Sequence, residues 1–281
     1  MIVSCLGYGY VSIYLLKDIS SHGIKCFGVT DNVSKIKKIN NENISILPRN
    51  KTVNVINQST HLVVTAPPYK DLCPILTQYK KQIKSSNVRS ILYISSTGVY
   101  GNHEGNWVDE KSTVKGKDNT ASKSRINAEK AWIDFCKKAY LTINIVRLGA
   151  IYGPGRPKID KKLFKNVLIK KDHFFSRAHV YDISRLLAKI LYNSNKSDCW
   201  NIVDELPSTR ENFFLRIIRL NGVKKYNFLN YEENEKDISG LKQRFWKANR
   251  KVSSKKITTQ FNYSFLFPSY LSGLKHIIKH S

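Results

Sequence analysis

The chain is poor in acid. Its 281 residues carry 21 Asp and Glu against 47 Lys and Arg, a formal net charge of +26. It has few glycines and prolines (14 and 8), which excludes a collagen-like repeat. No run of 18 apolar residues occurs, so no membrane-spanning helix is expected. Only five cysteines are present: Cys5, Cys26, Cys73, Cys136 and Cys199. They are odd in number, widely spaced and form no C-x-x-C pair, which excludes a disulfide framework and a zinc ribbon. Free cysteines inside apolar runs behave as small core residues and suit a reducing compartment. Met1 leads directly into Ile-Val-Ser-Cys, without a basic segment or an A-x-A site, so no secretory signal and a cytoplasmic location are expected.

What is present is a globular composition. Hydrophobic residues make up 41% and charged residues 24%. The length allows one large domain or two smaller ones, with a core that needs no staples. The positive charge raises a nucleic-acid or acidic-membrane partner. Composition offers a simpler origin: 35 Lys, 24 Asn and 29 Ile stand beside 9 Ala, the bias that AT-rich codons produce. The charge is spread along the chain. Its one concentration is 238–281, with nine Lys or Arg and no acid. No helix-turn-helix, RNA-recognition or zinc-finger signature accompanies it, and Phe245 and Trp246 do not make an aromatic ladder.

The first 150 residues alternate short apolar runs with longer periodic ones. Strands are expected at 2–6, 24–30, 61–66, 90–95 and 141–148, and helices at 11–21, 71–85 and 118–140. Strands alternating with helices give βαβ units. The fold class is therefore α/β, a Rossmann doubly wound parallel sheet over residues 1–150. The pattern changes after Gly149. A Gly/Pro turn cluster, a helix over 180–192, a short strand over 200–203 and a helix after Ser208 predict a smaller mixed C-terminal lobe over 151–281, some segments of which could return to the Rossmann sheet. Ser208 and Glu211 are spaced as a capping box.

Gly7-Tyr8-Gly9-Tyr10-Val11-Ser12 joins the first strand to the first helix, a G-x-G-x-x-S close to the dinucleotide fingerprint. Gly7 permits the tight turn, Gly9 lets a pyrophosphate approach the backbone, and Ser12 is small enough for close helix–strand packing. Asp31 ends the next strand, where a carboxylate binds ribose hydroxyls and repels a 2′-phosphate. NAD is thus favoured, although Lys35, Lys37 and Lys38 just downstream would admit NADP. Ser95-Ser96-Thr97-Gly98-Val99-Tyr100-Gly101 ends a later strand, where hydroxyls face the ligand crevice of a doubly wound sheet.

These segments, with VVTAPP, AEKAW, VRLGAIYGPGR, FSRAHVYDISR and RKVSSKK, resemble the extended short-chain dehydrogenase/reductase family. Within it they are most similar to an atypical, YeeZ-like branch of epimerase-like proteins, over nearly the whole chain. The resemblance implies a Rossmann domain with a small substrate lobe. It implies NAD or NADP held by Gly7, Gly9, Tyr10, Val11, Ser12, Asp31, Ala66, Pro67 and Ser95. It also implies an oxidoreductase or epimerase acting on a small sugar-nucleotide or acidic substrate. Ser96 falls on the family's catalytic Ser/Thr. The family's Tyr-x-x-x-Lys pair falls on Ala121 and Arg125: a methyl group transfers no proton, and a guanidinium binds ribose or phosphate instead. Lys123 would serve if the helix register shifted by two. The candidate catalytic set is then Ser96, Thr97, Tyr100 and Arg125, with Tyr100 alternatively a packed aromatic. Arg147, Arg177 and His179 are candidate substrate contacts, with His179 and Asp182 alternatively positioning the substrate lobe, and Arg156 falls in the same segments. The alternative for the arginines is an ion pair with Asp182 or Asp109. His103, Trp107 and Asp109 belong to a loop that could close over the substrate or simply lie at the surface. No metal ligand set is expected. The alternative to an enzyme is a non-catalytic dinucleotide sensor or scaffold.

Overall fold

The structure, a computed structural model, describes residues 1–32, 41–69, 72–158, 164–193, 195–237 and 246–279. Lys35, Lys37, Lys38 and Phe245 lie outside the described residues. A seven-stranded sheet organises the chain. It is built from β1 (Ile2–Leu6), β2 (Lys25–Thr30), β3 (Ile44–Pro48), β4 (His61–Val64), β5 (Ser90–Ser96) and the strands Thr142–Leu148 and Asp198–Ile202. The spatial order is Asp198–Ile202, Thr142–Leu148, β5, β4, β1, β2, β3. Chain order reverses at β1, which has β2 on one side and β4 on the other, both parallel to it. In an open α/β sheet this reversal opens the crevice where ligands bind.

Helices α1 (Tyr10–Ser20), α2 (Thr52–Gln58), α3 (Pro74–Ser85) and α4 (Thr120–Ala139) connect these strands. Their buried residues follow helical spacing: Val11, Leu15, Leu16 and Ile19 on α1, and Ala128, Trp132 and Cys136 on α4. β3 and α2 were not foreseen. Ile44-Ser-Ile-Leu-Pro is a short edge strand, and Pro48 at its end is tolerated where no further partner needs its missing N–H.

Two compact units form. The first comprises Met1–Ser96, Lys123–Arg147 and Ile183–Trp200; the second comprises Thr97–Ser122, Leu148–Asp182 and Asn201–Ser281. The units thus alternate along the chain, and residues 97–122 belong to the second although they precede residue 150. The core of the first gathers Leu6, Leu62, Val64, Ile91, Tyr93 and Trp132.

The second unit has its own core of Tyr152, Phe213, Phe214, Ile217, Tyr270 and Leu274. Two-residue and three-residue strand pairs frame it, including Arg177–His179 with Ala150–Tyr152. After helix α5 (Val180–Tyr192), the second unit contains helix α6 (Arg210–Leu220). The expected cap of α6 is corrected: Thr209, not Ser208, accepts from Asn212 N. Ser208 Oγ instead accepts a hydrogen bond from Arg177 at 2.7 Å. All five cysteines are free thiols, and burial pushes those of Cys5, Cys26 and Cys136 up to about 12, away from nucleophilic use. Among the described residues no helix is long and apolar enough to cross a membrane, and no group of His, Cys, Asp or Glu could hold a metal ion.

Candidate functional site

In the first unit, the glycine loop sits at the carboxyl end of β1. Gly7 has φ +109°, and a Cβ there would stand 2.8 Å from both Ala66 N and Thr65 Oγ1. Only glycine accommodates both the dihedral and the contact. Its carbonyl accepts hydrogen bonds from Ser12 Oγ at 2.8 Å and from Thr65 Oγ1. Ser12 is therefore more than a small residue. Its hydroxyl ties the first turn of α1 back to the loop. The amides of Thr65 and Ala66 donate to Leu6 O at 3.1 and 3.2 Å, which sets Ala66 and Pro67 beside the glycines. Gly9 begins α1 with no side-chain cap, and a Cβ on it would meet nothing within 4 Å. The loop therefore presents an open face to the positive end of a helix, the arrangement that receives a phosphate group.

Asp31 follows β2 and is exposed. Its Oδ2 accepts from Arg49 Nη1 at 3.1 Å, while Arg49 Nη2 donates to Gln78 Oε1 at 3.2 Å. The β2–β3 register brings this about: Thr30 lies opposite Pro48, so the next residue of each strand, Asp31 and Arg49, become neighbours.

At the end of β5, Ser95 Oγ donates to Glu129 Oε1 at 2.5 Å. Glu129 lies on the buried stripe of α4 and also accepts from Arg147 Nε at 3.2 Å and Nη2 at 2.7 Å. The pair is nearly dry, with side chains 10% and 7% exposed. Arg147 thus finds Glu129 rather than the Asp182 or Asp109 considered from sequence. Its guanidinium is held by a carboxylate of its own unit. Ser95, expected to meet the cofactor, spends its hydroxyl on the same carboxylate. Glu129 lies within the AEKAW segment. The available signal was a carboxylate in register with Trp132 and Cys136 on an apolar stripe. Arg125, half-buried, donates to Ile94 O at 3.4 Å. Ala121 and Lys123 are exposed and Ser96 is half-buried.

In the second unit, Thr97 and Tyr100 lie in the short turn Thr97–Tyr100. Tyr100 is fully buried, and its hydroxyl donates to Asn201 Oδ1 at 2.8 Å. That is the arrangement of a packed aromatic, and proton transfer through Tyr100 would require this bond to open. Arg177 is 5% exposed. It donates to Ser208 and to the carbonyl of Phe175, and stacks 4.3 Å from the Phe213 ring. His179 is fully buried. Its Nδ1 accepts from Tyr181 N at 3.2 Å, its ring lies 4.1 Å from that of Phe267, and burial holds its pKa down near 3. Both side chains are engaged in packing within the second unit. Asp182 accepts from Tyr263 Oη, Leu266 N and Phe267 N at 2.7, 2.7 and 3.0 Å, anchoring the segment 263–267. An Asp182→Ala substitution removes the acceptor of three hydrogen bonds from a buried hub; we expect a loss of roughly 3 kcal/mol, read from denaturant unfolding, with a loss under 1 kcal/mol excluding the hub.

The first unit's sheet, strand order and glycine loop define a Rossmann-type α/β fold. No protein-family model and no curated protein sequence matches the chain. Solved structures match over its whole length. One is a conserved protein of unknown function from Silicibacter pomeroyi DSS, 24% identical, with a TM-score of 0.90 over 100% of this chain and 99% of that one. Another is the human epimerase family protein SDR39U1 (isoform 2) with NADPH, 16% identical, TM-score 0.75, covering 100% of both chains. A third is UDP-glucuronic acid 4-epimerase from Bacillus cereus in complex with NAD, 15% identical, TM-score 0.75, covering 100% of this chain and 99% of that one.

Proposed function

We propose that the chain binds a nicotinamide dinucleotide on its first unit and acts as an oxidoreductase or epimerase-like protein of the extended short-chain dehydrogenase/reductase type, in the cytoplasm. The observation that carries this reading is the glycine loop. Gly7 is sterically locked, Gly9 is open on its outer face, and the α1 N-terminus between them and Ser12 lacks a side-chain cap. This open face is where a pyrophosphate would sit on the α1 amides. Tyr10 and Val11 would contribute the first helical amides, with Ala66 and Pro67 bordering the loop. The bound group would supply hydride transfer. Ser96 and Thr97 would polarise a substrate carbonyl or hydroxyl, and Arg125 would hold ribose or phosphate in place of the family's Lys. The substrate in this reading is a small sugar-nucleotide or acidic molecule. Structural neighbours crystallised with NAD or NADPH support the choice of cofactor class.

Titration with NAD(H) and NADP(H) by thermal shift tests the reading. A dinucleotide at about 100 times its dissociation constant adds roughly 2.7 kcal/mol and should raise the melting temperature by several degrees. No shift with any of the four forms overturns it.

Cofactor preference rests on Asp31 and Arg49. A free Asp31 would reject a 2′-phosphate, but here its charge is met by a guanidinium 3.1 Å away. An exposed pair is easily opened, and Arg is suited to hold phosphate through two parallel N–H bonds. The chain should therefore accept both NAD(H) and NADP(H). Arg49→Gln should weaken NADP(H) about tenfold or more and leave NAD(H) within twofold. Equal losses for both would remove Arg49 from that role.

A second reading, a dinucleotide sensor or scaffold without turnover, is favoured by the proton inventory. Ala121 offers no acid, and Tyr100 is buried and committed to Asn201. Tight dinucleotide binding without hydride exchange across a carbonyl panel would select it.

A further inference from the structure

Asp204 follows the strand Asp198–Ile202 and is 3% exposed. It forms no ion pair among the described residues. Its Oδ2 accepts from Tyr152 Oη at 3.4 Å and its Oδ1 from Leu206 N at 3.3 Å, both near the long limit of a hydrogen bond. Arg177 faces it from the strand Arg177–His179, but that guanidinium is bonded to Ser208 and to the Phe175 carbonyl. Asp182 faces it from α5, its own carboxylate fixed by Tyr263 Oη and the amides of Leu266 and Phe267. Around these lie Tyr270 and Arg210, near Arg177, and His179, whose ring packs 5.2 Å from that of Tyr152, with His276 beyond it. A buried carboxyl with so few donors favours its neutral form. Burial pushes its pKa up to about 8; Arg177 opposes the rise and Asp182 adds to it.

The helix Tyr270–Lys279 closes the second unit's core with Tyr270, Leu274 and Ile277. It is held at two places that both bear on Asp204. Gly273 packs on the Tyr152 hydroxyl, so closely that a Cβ there would stand 2.5 Å from Tyr152 Oη and Cε2. That hydroxyl is the donor to Asp204 Oδ2. Glu205 N, next in the chain after Asp204, donates to Pro268 O at 2.9 Å, just before the helix begins. A carboxyl that loses its proton here needs stronger donors or water. A shift of the Tyr152 hydroxyl or of the 204–206 turn would supply them, and each moves a surface on which the helix rests. We propose that the proton on Asp204 latches the helix Tyr270–Lys279 onto the second unit, and that its loss in mildly alkaline solution loosens the helix without unfolding the chain. The latch lies wholly within the second unit and does not depend on dinucleotide binding.

The test is peptide-resolved hydrogen exchange of the whole chain at several pH values, with Asp204→Asn beside the wild type. Asparagine keeps the shape of the neutral carboxyl and cannot ionise, and comparison at equal pH cancels the intrinsic dependence of exchange on hydroxide. The native carboxyl keeps a proton that the unlatched chain releases. Opening of the wild type should therefore become easier, relative to the variant, from the ordinary carboxylate range up to about pH 8, and level off above it. In the segment 265–277 the ratio of wild-type to variant exchange rates should climb about tenfold or more between roughly pH 6 and pH 8. In the segment 2–20 of the first unit it should stay constant. A ratio over 265–277 that does not change with pH overturns the proposal. So does an equal change over 2–20, which would mark unfolding of the whole chain. If Asp204→Asn does not fold, Tyr152→Phe takes its place. It removes a donor to the ionised carboxylate, so loosening of 265–277 should move to higher pH than in the wild type, and an unmoved profile overturns the proposal.

Discussion

A Gly9→Val chain should melt at nearly the wild-type temperature and show no stabilisation by any dinucleotide. The two halves of this expectation have separate causes. A Cβ at Gly9 meets nothing within 4 Å, and the residue's extended backbone (φ −114°, ψ −166°) is open to valine, so the fold has little to lose. The added isopropyl group would occupy the face through which a pyrophosphate approaches the α1 amides. The roughly 2.7 kcal/mol of ligand stabilisation at about 100 times the dissociation constant should then disappear. Gly7→Ala serves as the contrasting variant. Its Cβ would press on Ala66 N and Thr65 Oγ1 at 2.8 Å with φ at +109°, so it should lower the melting temperature before any ligand is added. Full dinucleotide binding by Gly9→Val would show that the loop does not hold phosphate.

Glu129→Gln carries the largest expected cost to folding. Glutamine keeps the shape but leaves Arg147 charged and buried, and removing one partner of a dry pair typically costs about 3–5 kcal/mol. Ser95 would lose its charged acceptor at the same time. The double variant Glu129→Met, Arg147→Leu replaces the pair by apolar side chains and should recover most of the loss, because neither charge is then left in the interior. Denaturant unfolding of the two singles and the double measures the coupling. A Glu129→Gln loss below about 1 kcal/mol would mean that water reaches the pair.

The glycine loop was legible because everything it needs lies in six consecutive residues. A positive φ, an open approach and a small helix residue are each a property of side-chain size at one position. Strands β1, β2, β4 and β5 were legible for the same reason, since short apolar runs bounded by Gly, Pro, Asn and Ser declare themselves locally. β3 escaped because five residues flanked by Asn and Pro carry too little periodicity to separate a strand from a loop. Arg49 escaped with it. Its meeting with Asp31 depends on the register that sets Thr30 against Pro48, and no pattern along the chain encodes that register. Arg147, Arg177 and His179 looked like ligand contacts because their types suit anions. Their use was decided by Glu129, Ser208 and Phe267, which lie 18, 31 and 88 positions away. Tyr100, four residues after Ser96, looked reactive by spacing, and Asn201 from across the chain takes its hydroxyl.

By itself, then, the sequence determined the α/β class, strands β1, β2, β4 and β5 and the glycine loop, because these follow from local size, hydrophobic period and turn chemistry. Tertiary structure alone decided which polar groups remain available. A charged or hydroxyl side chain is spent or free according to what distant segments bring within hydrogen-bonding distance, and only folding sets those distances.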